Sequence, residues 1–205
     1  MDAVRLVAFS DYLCPWCYNG SLRLERLEEE LDGRVAVEYR SYLLRPAPSP
    51  GRDLERFRAY TRSWERPAAE PDGGRFQPWQ GDAGPPSHSV PPQLAAKAAA
   101  ALGEAEFRRL HTRLLEAYFT ESRDVSDEAT LRALWAEAGL PPAAFEGWRE
   151  PALLERVRAE HAQALELGVT GVPAVMAESQ RLPIVGALPM ETYRRWVQRL
   201  LEADD

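Results

Sequence analysis

Two cysteines occur in the 205-residue chain, Cys14 and Cys17, and both fall in the stretch "SDYLCPWCYNG". Random placement of two cysteines would give this spacing about once in a hundred chains, so accident is a poor explanation. A close thiol pair can exchange electrons as a dithiol–disulfide couple, supply half of a metal site, or lie inert. Zinc ordinarily takes four ligands, whereas this chain offers two thiolates and three histidines, and His88, His111 and His161 lack paired ligand spacing. No metal is therefore expected. His88 reads as a solvated loop residue, and His111 and His161 as residues of helix surfaces.

The pair is expected where a strand hands over to a helix. At that position the free N–H groups and positive dipole end of the helix favour a thiolate, which makes Cys14 the attacking sulfur. Cys17 follows one turn later, placed to resolve a mixed disulfide. Pro15 suits the first helical position because its missing N–H costs nothing there. Trp16 stands beside the thiol, where substrate contact and packing are both open to it. A second signal is "GVTGVPAVMA", in which Pro173 directly precedes a strand-like run. Such a position favours a turn and often a cis peptide. The free backbone groups at Val172 are placed to pair with an extended peptide or a glutathione backbone in the manner of an added strand.

The elements that must position these residues follow from periodicity. "VRLVAF" reads as a buried strand, and Trp16 to Leu31 as a helix with Leu24, Leu27 and Leu31 on one face and Gly33 as its stop. Val35–Leu44 alternates as a second strand. Residues 46–92 form a proline-rich connecting segment, mostly extended, with one short helix near "DLERFRAYTRSW". Its aromatics Phe57, Tyr60, Trp64, Phe76 and Trp79 are too many for a bare linker, so it is expected to lie over something. Residues 93–168 carry helical signals throughout, with Ser126 as the N-cap of one helix. "VPAVMA" and "RLPIVGA" then read as strands, and "METYRRWVQRLL" as a closing helix.

Composition narrows the class further. There are 25 basic and 32 acidic residues, a net charge of −7, which gives no field for nucleic-acid backbones. No apolar run approaches a membrane span. The N-terminal stretch shows no signal-peptide pattern, so a cytoplasmic location is expected, and there a close cysteine pair is better read as catalytic than as structural.

Together, "SDYLCPWCYNG", "LHTRLLEAYFTESRDVSDEATL", "TGVPAVM" and "LPIVGALPMETY" resemble the DsbA-like thioredoxin superfamily, specifically its FrnE-like cytosolic group of dithiol–disulfide oxidoreductases. The resemblance spans nearly the whole chain. It implies an α/β, thioredoxin-like fold with an inserted all-helical domain. Residues 1–45 and 169–205 would form the discontinuous thioredoxin-like domain, 46–92 the connecting segment and 93–168 the insertion. It further implies Cys14 as nucleophile, Cys17 as resolving thiol and Pro173 as the cis-proline, and the residues beside them, Pro15, Trp16 and Val172, are the expected substrate contacts. No cofactor is implied beyond glutathione as a co-substrate. The partners would be a protein or small molecule bearing a disulfide or thiols, and an agent that recycles the pair, most naturally in the reductase or isomerase direction. A rival within the superfamily is a kappa-type glutathione transferase or a hydroxychromene-carboxylate-isomerase-like enzyme. Those proteins typically carry serine where this chain has Cys14, and a cytosolic transferase gains nothing from an oxidisable pair.

Overall fold

The computed structural model describes residues 3–49, 53–180 and 182–203. Arg181, at the head of the last expected strand, and Asp204 and Asp205 of the acidic tail lie outside them. Strand β1 (Val4–Ser10) runs parallel to β2 (Val35–Ser41) and antiparallel to β3 (Ala174–Ala177), which pairs with the two-residue β4 (Ile184–Val185). The order across the sheet is β2-β1-β3-β4. β1 is apolar at nearly every position because both of its faces are covered, the pattern expected of a central strand. Leu6 and Ala8 face helices α1 (Pro15–Leu31) and α8 (Met190–Ala203), where Leu24, Leu27, Tyr193 and Val197 meet them. Val7 and Phe9 face the other way, toward Ala164 of α7 (Pro151–Glu166).

The middle of the chain supplies α2 (Leu54–Thr61), a 3₁₀ turn at Arg62–Trp64, α3 (Glu65–Ala68), α4 (Val90–Ala100), α5 (Glu104–Phe119) and α6 (Glu128–Glu137). A 3₁₀ segment, Pro142–Arg149, precedes α7. Helix thus reaches further into the proline-rich segment than composition indicates. Phe57, Trp64 and Trp79 are buried in one cluster with Tyr118 and Phe119 of α5, while Tyr60 stays exposed. The same cluster takes in Tyr12, Leu13 and Tyr18, so the helical layer packs directly against the segment that carries the cysteines.

Three local readings need correction. The N-cap of α6 is Asp127, whose carboxylate accepts the Thr130 N–H, because the Ser126 hydroxyl is turned to Asp124. β2 stops at Ser41, since Tyr42 to Leu44 leave the ladder to meet α7 and the end of β1. The stop of α1 is Asp32 with φ 41°, followed by Gly33 at φ 76°, so the left-handed turn begins one residue early.

Candidate active site

Cys14 is the N-cap of α1, extended at φ −97° and ψ 114°, and Pro15 occupies the first turn. Its sulfur accepts the Cys17 N–H at 3.3 Å, one of the orphan donors of a helix start. The Cys14 thiol also donates to the Val172 carbonyl at 3.2 Å, across 158 residues of sequence. The two cysteines are free thiols, both buried, Cys14 at 5% and Cys17 at 1% exposure. Burial, reinforced by its neighbour Cys14, pushes the Cys17 thiol well above the usual range. The arrangement is chemically asymmetric. One sulfur caps the helix start, while the other, one turn later, is held as a thiol.

The Val172–Pro173 peptide bond is cis, and Pro173 is buried where β3 begins. The loop packs on Gly20 of α1, where an added Cβ would lie 3.0 Å from Pro173 Cγ. Glycine at that point lets the helix approach the loop closely. Trp16 is 36% exposed beside Cys14, and Pro15 and Val172 are half-buried. The residues singled out in sequence, Cys14, Pro15, Trp16, Cys17, Val172 and Pro173, are therefore brought to one end of the sheet.

Two groups escaped the sequence reading. His111 is not on a helix surface: it is 2% exposed, with Nδ1 2.8 Å from the Tyr12 hydroxyl and Nε2 2.5 Å from Ser21 Oγ. Burial, with the Arg108 and Lys97 charges, holds its pKa down at about 3, so the ring is neutral. With Tyr12 donating to Nδ1, the ring N–H goes to Ser21, whose hydroxyl donates to Tyr39. This chain ties the approach to Cys14, α5, α1 and β2 together. His161 is half-buried rather than on the surface, its Nδ1 accepting the Leu43 N–H beside Tyr42. His88 is half-buried against Ser87.

The second group is Asp11, fully buried three residues before Cys14. Its carboxylate accepts the Leu13 N–H at 2.7 Å and the Leu44 N–H at 2.6 Å. Desolvation outweighs these bonds and raises its pKa to about 6. The only sequence signal was an Asp at a strand end, which reads as ordinary turn chemistry.

On the far side, α1 holds the proline-rich segment in place. Asn19 donates to the Pro67 carbonyl and accepts the Gly74 N–H. Arg23, 2% exposed, pairs with Glu70 and Asp72 and donates to the carbonyls of Ala187 and Leu188. A cavity of about 670 Å³ lined by Glu25, Arg108 and Arg113 opens between α1 and α5, and neither cysteine reaches it. No cluster able to hold a metal occurs among the described residues, and none of their helices is long and apolar enough to cross a membrane.

A strand, a thiol pair at a helix start and a facing Val-Pro loop define a thioredoxin-type dithiol site, and a family model for the DSBA-like thioredoxin domain matches residues 5–198. The chain belongs to that family. It is 28% identical over 202 residues to the protein YwbO of Bacillus subtilis (strain 168), covering 94% of each chain. Among solved structures it is similar to the cytosolic disulfide reductase DsbM of Pseudomonas aeruginosa, with a TM-score of 0.76, 23% identity and coverage of 98% of this chain and all of that one. DsbM has also been solved with GSH. A periplasmic thioredoxin-like protein of Salmonella enterica serovar Typhimurium matches with a TM-score of 0.60 and 21% identity, over 97% of this chain and 87% of that one.

Proposed function

We propose that this protein is a thiol–disulfide oxidoreductase in which Cys14 attacks and Cys17 resolves. The observation that carries the reading is the asymmetry of the pair. Cys14 Sγ accepts a helix N–H at 3.3 Å, a bond that strengthens when the sulfur is anionic, whereas burial keeps Cys17 protonated until it is needed. In the first step the Cys14 thiolate bonds to one sulfur of a substrate disulfide and the other sulfur leaves as a thiolate. In the second, Cys17 loses its proton and attacks Cys14, releasing the second substrate thiolate and closing the Cys14–Cys17 disulfide. The substrate has gained two electrons and the protein has lost them. A thiol reductant returns the pair to dithiol by the same exchange in reverse.

Val172 and Pro173 face the sulfur, and with Pro15 and Trp16 they form the substrate contact in this reading. We assign the working direction as reductase or isomerase in a FrnE-like, cytoplasmic protein, with glutathione as the recycling thiol. The likeness to a cytosolic disulfide reductase that has also been solved with GSH supports that choice. The test is insulin-disulfide reduction with glutathione as electron donor, run beside glutathione-conjugating and isomerising assays. Reduction that disappears in Cys14→Ser fits the proposal. Conjugation or isomerisation that survives Cys14→Ser, with no reduction by the parent protein, overturns it in favour of the transferase class.

A further inference from the structure

Asp11 adjoins both cysteines. Its main-chain carbonyl accepts the Cys14 N–H at 3.1 Å, and its main-chain amide lies near enough to the Cys17 sulfur to lower that thiol's pKa. Its two carboxylate oxygens take different partners: Oδ1 holds the Leu13 amide and Oδ2 the Leu44 amide, which belongs to the segment leaving β2. The Ser89 side chain, just ahead of α4, lies near enough to the same carboxylate to lower its pKa, and Ser89 Oγ accepts the Arg45 N–H at 3.1 Å. Two backbone donors from two parts of the chain converge with Ser89 beside them, and an ionised carboxylate is the side chain that is acceptor at both ends. Asparagine would present an NH₂ to one of these donors.

The setting is an unusual one for a charge. Asp11 is 0% exposed, and among the described residues it has no ion pair, unlike the other buried carboxylate, Glu160, which pairs with Lys97 at 2.7 Å. A buried, desolvated carboxylate beside a reactive pair is the environment in which a group shapes chemistry rather than merely packing. We propose that the Asp11 carboxylate is a positioning residue for Cys14, clamping the turn at residues 11–14 to the Leu44 segment and so setting where the thiol stands against Val172. The inference rests on the dithiol reading above and names what holds its nucleophile.

The charged and titratable groups facing Asp11 are Arg45 from the segment after β2, Tyr12 and the two cysteines from the approach to α1, and, from the start of α4, the non-titrating Ser89 hydroxyl. With its pKa raised to about 6, Asp11 takes up a proton just below neutrality, and the protonated acid offers one acceptor fewer to the Leu13 and Leu44 amides. The rate of Cys14 alkylation should therefore contain a component with a midpoint near pH 6, separate from the thiol's own titration.

The experiment measures iodoacetamide alkylation of Cys14 from pH 4.5 to 9 in Cys17→Ser protein, with and without Asp11→Asn or Ser89→Ala, alongside circular dichroism and melting temperature. Asp11→Asn is expected to remove the component near pH 6 and to slow alkylation at pH 7.5 about tenfold or more, a loss of about 1.4 kcal/mol in activation free energy per tenfold. Ser89→Ala removes a group that lowers the Asp11 pKa, so it should move the same midpoint upward. A folded Asp11→Asn protein with the parent's rate and profile overturns the proposal. Should Asp11→Asn fail to fold, a Cys17→Ser profile with no component near pH 6 overturns it instead. Alkylation does not require disulfide turnover, so a protein that fails to reduce insulin would sink the dithiol reading while this test still reports on Asp11.

Discussion

Replacing Gly20 by alanine should separate activity from stability, because the glycine lies in a helix yet faces the loop opposite the nucleophile. The added Cβ would stand 3.0 Å from Pro173 Cγ and 3.3 Å from its Cβ, whereas ordinary contact begins at 3.4 Å. Relief requires Pro173 to withdraw by about 0.4 Å, a small accommodation of the kind overpacked contacts force. Val172 shares a peptide with Pro173, so its carbonyl moves too and the 3.2 Å contact to Cys14 Sγ lengthens. Alanine gains about 1 kcal/mol over glycine in a helix interior, and overpacking costs about 1–3 kcal/mol. The net stability change is thus a loss of about 0–2 kcal/mol. Misplacing a reacting group by about 1 Å can cost about a hundredfold, so 0.4 Å corresponds to roughly a sixfold fall in disulfide exchange. Insulin reduction measured as kcat/KM, together with urea unfolding, tests both halves. Parent-level exchange in a folded Gly20→Ala protein would refute the claim that this contact sets the loop.

Cys17→Ser should accumulate a mixed disulfide on Cys14 when mixed with oxidised glutathione, and Cys14→Ser should not; equal adduct masses on the two variants would erase the division of labour. His111 binds its proton less tightly when folded than unfolded, its pKa falling from 6.5 to about 3. Its contribution is therefore intact above pH 6.5 and is lost as pH falls, at up to about 1.4 kcal/mol per pH unit relative to His111→Gln. Asp11, whose folded pKa is raised, acts with the opposite sign between its unfolded value and about 6, so the His111 effect is to be read as the difference between variants in urea melts at pH 4.5 and 7. Arg23→Met should leave the partly exposed Glu70 and Asp72 without their partner and cost about 1–2 kcal/mol, with proteolysis appearing in residues 65–75 before global unfolding. Protection of that segment equal to the parent's would show that Arg23 does not hold it.

Local chemistry was legible from the residues alone. A period-2 or fully apolar run names a strand, a 3.6 period names a helix, and C-P-x-C between them places one thiol at a helix start, since each signal depends on neighbours a turn away. α5 and α8 were read from such spacing, as was the position of Pro173 at the head of β3. What stands opposite each face was not legible. His111 shows the same i, i+4 spacing whether it meets solvent or Tyr12, and its partner lies 99 residues away. Asp11 at a strand end looks like turn chemistry until Leu44 and Ser89 arrive from 33 and 78 residues further along. Gly20 looks like a weak point in a helix until Pro173 is packed upon it. Periodicity orders a chain with respect to itself, whereas burial, desolvation and close approach are properties of pairs that only the folded chain brings together.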